Sequence, residues 1–310
     1  MEINKGQKFG FPKDLFVNND PEKTWEKALP LSKEIRRDFD GLAAKKIFDD
    51  VIRIFRGEYP GYRPIKTPYH DLSHTLNVFI CAVRLMHGVH VSGTPLTNRD
   101  ILLVMIATLM HDIGYAQSTN EDSGTGAQFT RNHVERGIRF MREYISGQDA
   151  FPDSFLNQLE SMMQSTEQLL PFRKVGFPSS HTMMLGQIVA TADYVGQMSD
   201  RIYPEKLAHL FEEFKEAGVG NYHDFPDLLS QTGKFYELTL SKLDTDLGKV
   251  YDRLKHHFRR VYGENRNFYM EAIEKNIAYV EQANRAEMEK RQGMLRRGNP
   301  NHNIRIVKTA

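Results

Sequence analysis

The chain has 310 residues, 40% hydrophobic and 26% charged, with 41 Lys and Arg against 40 Asp and Glu for a formal net charge of +1. That balance is ordinary for a globular protein, so no net basic field points to nucleic acid or a membrane surface as partner. The single cysteine, Cys81, excludes an intrachain disulfide framework and cysteine-rich zinc sites, and it fits a reducing compartment.

Strict polar–apolar alternation is rare and helical periodicity recurs throughout, so the expected fold class is all-α. Residues 1–31 hold Gly10, Pro12, Pro21 and Pro30 and read as an irregular N-terminal arm anchored by Trp25. They begin with no apolar signal segment, and the longest apolar runs in the chain, about ten residues, fall short of a bilayer span. The expectation is a soluble, cytoplasmic protein with no membrane partner. A helix is predicted from Ser32 to Phe55, after which Gly57, Pro60, Gly61 and Pro64 break the chain.

Leu72 to His87 is predicted helical, with Leu76, Phe79, Ile80, Val83 and Met86 on one face, and Gly88 to Pro95 as a loop. Thr97 to Asp100 can cap a helix running to Asp112, and Gly114 suits its C-terminal turn. Ser118 to Gly126 is a polar, glycine-bearing loop. Helices are expected from Phe129 to Tyr144 and from Asp153 to Leu169, then a loop from Pro171 to Pro178 and the helix carrying Asp193. Pro204 is placed as the first residue of a helix ending near Ala217. From Asp224 to about Lys290 the chain reads as long amphipathic helices, with His256 and His257 in a basic, solvated stripe. The expected organisation is a catalytic unit over 32–215, a helical extension over 216–290 that packs on it or mediates a homodimer, and a basic tail over 291–310.

The chemistry concentrates in a few residues. His111 and Asp112 close the apolar run Ile101 to Met110, which delivers two metal-competent side chains to the end of a buried helix. A buried carboxylate without a partner is very costly, so such a residue pairs or coordinates a metal. His70 and His74 are four apart at a helix start and so share a face, and Asp193 sits in a second apolar helix. Mixed imidazole and carboxylate ligands suit Mn, Zn, Fe, Ni or Mg better than a thiolate-selecting site would. The order His, His-Asp, Asp points to a metal-dependent hydrolase. An ion pair from Asp193 to Arg201 is the structural alternative for that aspartate.

In residues and in order, the stretch from Tyr69 to Tyr203 resembles the HD-domain metal-dependent phosphohydrolases. Tyr69-His-Asp-Leu-Ser-His74 looks like the opening motif of class I cyclic-nucleotide phosphodiesterases, and Met110-His-Asp-Ile-Gly114 like their second. The segment from Ala192 to Arg201 looks like the last-aspartate helix of bacterial HD proteins. The resemblance implies a phosphodiesterase-like helical bundle in which His74, His111, Asp112 and Asp193 hold a first divalent ion. Asp112 would bridge to a second ion, and His70 would protonate the leaving oxygen.

This chain has Gly114-Tyr-Ala-Gln117 where the phosphodiesterases carry a further histidine. His133 looks instead like the extra histidine of binuclear HD proteins, with Glu167 as its companion at the second ion. A nucleobase-binding glutamine would fall in the region of Gln231. The implied function is a metal-dependent phosphohydrolase acting on a small phosphomonoester or phosphodiester, a nucleotide, cyclic or not. Two rivals are an HD-type diiron oxygenase and a non-enzymatic HD regulatory module.

Overall fold

In the computed structural model, residues 11–12, 15, 20–121, 124–146, 151–286 and 294–295 are described. The basic tail expected over 291–310 therefore lies outside the described residues apart from 294 and 295, as does most of the arm before residue 20. Eleven α-helices and four short 3₁₀ turns make up the described chain, which contains no strand, so the fold is all-α. No helix among the described residues is long and apolar enough to cross a membrane.

The second half of the expected arm is helical. α1 spans Pro21–Ile35, with Asp20 as N-cap accepting from the Lys23 N–H at 3.1 Å. Pro21 belongs to the first turn, where the missing N–H costs nothing. Pro30 sits on the exposed face, where its lost hydrogen bond costs least. Trp25, Ala28, Ser32 and Ile35 form the buried stripe. The single helix predicted from Ser32 to Phe55 is two helices. Arg36 turns extended and Gly41 takes φ +73°, so α2 starts afresh at Leu42 and runs to Arg56.

α3 (Leu72–Val91) is buried on every side from Ser73 to Val89 and forms the axis of the molecule. It continues through Gly88, where the sequence predicts a stop. A Cβ at Gly88 would lie 2.1 Å from the Arg253 carbonyl oxygen, so this glycine is a packing contact and not a terminator. α4 (Asn98–Met110) opens with the expected capping box, Thr97 and Asp100 each bonding the other's backbone. α5 (His133–Ser146) begins four residues later than expected, behind a 3₁₀ turn at Ala127–Phe129. α6 (Asp153–Gln164) ends five residues early, and α7 (Ser180–Met198) carries Asp193.

α8 spans Tyr203–Ala217, and the expected long C-terminal helices are three: α9 (Phe225–Asp244), α10 (Leu254–Tyr262) and α11 (Phe268–Arg285). One apolar core joins α1 to α7 with Leu254 and Phe258 of α10 and Phe268, Ile273 and Val280 of α11.

The α3–α10 contact holds a second histidine pair. His257 is buried, which corrects the solvated reading of this position. Its Nδ1 lies 3.2 Å from His87 Nδ1, and His87 Nε2 lies 3.1 Å from Glu34 Oε2. Only one proton fits between the two Nδ1 atoms. The assignment that satisfies both contacts is His257 donating to His87, which donates through Nε2 to Glu34.

Burial, with the Arg84 charge nearby, pushes His257 down to about 2, and burial lowers His87 as well. The unfolded chain takes up these protons near pH 6.5 and the folded chain does not, so stability is present above that pH and is lost as pH falls below it. From His257 alone, roughly 2 to 3 kcal/mol should disappear between about pH 6.5 and pH 4.5. Urea titrations across that range check this, and a flat midpoint in the wild type would overturn it.

Candidate metal centre

His70, His74, His111, Asp112, His133 and Asp193 come from five places in the chain and meet at one end of α3. Asp71 caps α3 by accepting from the His74 N–H at 2.8 Å, which fixes His74 in the first turn. His111 closes α4 and Asp112 follows in a turn before a 3₁₀ segment, Ile113–Tyr115. At a helix end adjacent side chains can converge, and here they do. α7 supplies Asp193 and the first turn of α5 supplies His133.

His74, His111 and Asp112 form a tight, buried group. The two imidazole Nε2 atoms are 3.1 Å apart and lie 3.1 and 3.0 Å from Asp112 Oδ2. Asp193 Oδ1 reaches the same two nitrogens at 3.5 and 3.6 Å. Ligand atoms at ~2.1 Å from one divalent ion sit about 3.0 to 3.4 Å from one another, which is the spacing of the His74, His111 and Asp112 atoms, with Asp193 slightly further out. Asp112 Oδ2 is buried and has no hydrogen-bond partner despite the two nitrogens beside it. An orphaned carboxylate oxygen facing two imidazoles is the environment a cation satisfies. The residues therefore fit a metal ion.

Surrounding groups orient these side chains. His111 Nδ1 donates to the Thr108 carbonyl at 2.8 Å, which leaves the Nε2 lone pair for the centre. Gln197 donates to Asp193 Oδ1 at 3.2 Å and accepts from the Tyr69 hydroxyl at 2.6 Å. Burial opposes charge on His111, but the Asp112 and Asp193 carboxylates overcome it and raise its pKa to about 9. Burial also opposes ionisation of Asp112, and the neighbouring histidines hold its carboxyl well below the usual range.

His133 Nδ1 donates to the Thr130 carbonyl at 2.8 Å, so its Nε2 lone pair faces Asp112 Oδ1 at 3.5 Å. Two acceptors facing one another suit a second ion between them. Glu167 does not join this group. Its Oε1 accepts from the Leu169 N–H at 3.2 Å, although its charge still acts on His133. No ion pair joins Asp193 to Arg201, which is exposed at the helix end. Gln231 is exposed and bonds Asp227 Oδ1 at 2.9 Å.

His70 is held from a residue that sequence reasoning missed. Its Nδ1 lies 2.5 Å from Glu213 Oε2, while Glu213 Oε1 accepts from the Tyr69 and His70 N–H groups at 2.6 and 3.1 Å. Burial disfavours the imidazolium, yet the charges of Glu213 and Asp112 raise His70 to about 9. Glu213 lies in Glu212-Glu-Phe-Lys-Glu216, a charged stretch with nothing local to single it out.

Tyr115, also missed, stacks against both His70 and His133, with ring centroids 4.9 and 4.7 Å away, and the two imidazoles lie 6.4 Å from each other. It is reached because Gly114 allows α5 to approach: a Cβ there would lie 1.8 Å from the His133 carbonyl oxygen.

No curated protein and no solved structure matches the chain. Residues 118–247 match the family described as Npun_R2479-like, a stretch that takes in His133, Asp193 and Glu213 and leaves His70, His74, His111 and Asp112 outside it.

Proposed function

We propose that this protein is a metal-dependent phosphohydrolase acting on a small phosphate ester, with His74, His111, Asp112 and Asp193 holding a first divalent ion. The observation that carries the reading is Asp112 Oδ2, buried and without a hydrogen bond between two imidazole nitrogens. His133, with Asp112 Oδ1, is the site of a second ion. Glu167, which bonds Leu169, is left out of it. A bound divalent cation lowers the pKa of coordinated water toward about 7 and neutralises charge on phosphoryl oxygens.

The chain's own part is to hold and deliver a proton. Glu213 takes the Nδ1–H of His70, which fixes the ring and leaves Nε2 as the atom that gives its proton to the departing oxygen. Stacking of His70 on Tyr115 keeps that ring in one plane, and the apolar roof of α3 and α4 excludes water from behind the ligands.

The test is metal content per chain, followed by hydrolysis of 4-nitrophenyl phosphate and bis(4-nitrophenyl) phosphate after loading with Mn, Zn, Fe, Ni or Mg. One or two ions per chain with metal-dependent release of nitrophenol is the expected result. Iron content with oxygen consumption and no phosphate chemistry would replace this reading with an oxygenase. A protein that takes up no ion would leave the helical interaction module.

A further inference from the structure

Each imidazole at the centre has a second nitrogen that needs a partner. His70, His111 and His133 bring Nδ1 to a protein acceptor: Glu213 Oε2 at 2.5 Å, and the Thr108 and Thr130 carbonyls at 2.8 Å each. His74 differs. Its Nε2 faces His111, Asp112 and Asp193, and its backbone N–H is bound to Asp71. Among the described residues no hydrogen bond engages its Nδ1. The residue is 3% exposed, which leaves bulk solvent little part.

His74 also lines a small cavity of about 10 Å³, whose other walls are Tyr69, Asn77, Gln197, Asp200 and Lys206. Every wall carries a polar group, and the volume suits one water and nothing larger. Two walls are already committed, since the Tyr69 hydroxyl donates to Gln197 and the Gln197 amide donates to Asp193. Asp200 keeps spare capacity. It is buried, its Oδ1 accepts from the Ile202 N–H at 3.2 Å and its Oδ2 from Asn77 Nδ2 at 3.3 Å, with the Lys206 ammonium 3.9 Å from Oδ2. An ionised carboxylate offers about four acceptor positions, so at least one remains.

Asn77 follows His74 by one turn of α3, which puts Asp200 on the His74 side of that helix. No ion pair within 4.0 Å joins His74 to Asp200. The two are thus too far apart for a direct hydrogen bond, yet they border a space one molecule wide.

We propose that one water bound in this cavity accepts the Nδ1–H of His74 and donates to the Asp200 carboxylate, which makes Asp200 a positioning residue for the first ion and rests on the reading of His74 as its ligand. A hydrogen bond at Nδ1–H holds the ring in the tautomer whose Nε2 lone pair faces the metal, and it strengthens that nitrogen as a donor. A bridging water serves nearly as well as direct contact. The carboxylate is specific to this task. An amide in its place would keep the Ile202 contact through its oxygen and turn an NH₂ group to the cavity, so the water would lose its acceptor.

The test uses the full chain and Zn(II), whose filled d shell leaves NMR spectra undisturbed. Zinc affinity is measured by chelator competition, and imidazole N–H protons by ¹H–¹⁵N NMR, in wild type, Asp200→Asn and Asn276→Ala. Asn276 anchors the turn after α7 through the Met198 and Asp200 carbonyls and is not a wall of the cavity, so its loss reports what loosening that turn does. Asp200→Asn should bind the tighter zinc at least about tenfold more weakly, as for loss of an outer partner of a metal-bound imidazole. It should also shift or lose the His74 Nδ1–H resonance while those of His111 and His133 stay. Asn276→Ala should melt earlier but keep zinc affinity and that resonance near the wild type. In the wild type the same proton should show a cross-peak to bound water, and its absence overturns the proposal without recourse to a variant. An unmoved resonance or an undiminished affinity in Asp200→Asn, or an equal loss of affinity in Asn276→Ala, overturns the proposal and leaves the metal centre intact. A wild type that binds no zinc overturns the centre itself.

Discussion

Asp112→Ala is expected to leave a folded protein that no longer holds metal. Asp112 is the one side chain that reaches both imidazole nitrogens of the first ion through Oδ2 and also faces His133 through Oδ1. On the proposed reading, its removal takes one ligand from the first ion and the group shared with the second. Metal content should fall below about a tenth of the wild-type value, and hydrolysis at least about a thousandfold, equivalent to roughly 4 kcal/mol of barrier. Asp112→Asn preserves the volume and isolates the charge, and it should lose most of the metal as well. The two measurements are elemental analysis after dialysis and phosphate release at saturating Mn(II), with helical circular dichroism as the control for folding. Full metal occupancy in Asp112→Ala would remove this group from consideration as the centre.

The second large effect is expected at a residue with no side chain. Gly114→Ala places a methyl group where the His133 carbonyl and the Gly137 amide already sit, 1.8 and 2.7 Å from the new carbon. Both neighbours are backbone atoms of α5, so the helix has to move as a body. Stability should fall by about 2 to 4 kcal/mol, in the range of an overpacked contact that displaces backbone. The chemical consequence is more specific. His133 rides on α5 and His111 does not, so displacement of α5 separates His133 from Asp112 while the first-ion ligands stay together. A titration with Mn(II) should then show the weaker site lost and the tighter one kept. Equal stability and two intact sites in Gly114→Ala would show that the approach of α5 is not held by this contact.

The side chains that cluster around Asp112 were legible because most of them interrupt an apolar pattern. His111 and Asp112 end a buried run, and Asp193 stands alone among small and apolar residues. His74 was legible from its spacing to His70. Glu213 was not, because a glutamate in a charged helix is silent until the fold brings α8 beneath Tyr69 and His70. Glycines and prolines misled in a consistent way. Gly88 was read as a stop although it admits the Arg253 carbonyl, and Pro21 and Pro30 were read as breakers although one opens α1 and the other lies on its wet face. Local rules treat these residues as punctuation, whereas their role here depends on what packs against them. His257 was read as solvated for the same reason: the charges flanking it in sequence point away from the face that α3 covers.

The single tryptophan has a practical consequence. The Trp25 indole lies against Phe48 of α2 and Phe79 of α3, with ring centroids 5.4 and 6.5 Å away, and no other residue in the chain emits as it does. Its fluorescence therefore reports one event, the seating of α1 on the axis helix. The histidine pair at the α10 contact lies further along that axis, and His74 of the candidate metal centre lies at its start. Emission recorded alongside helical circular dichroism would thus separate a loosening of α1 from acid release of α10, and would show whether the axis melts as a unit or from one end.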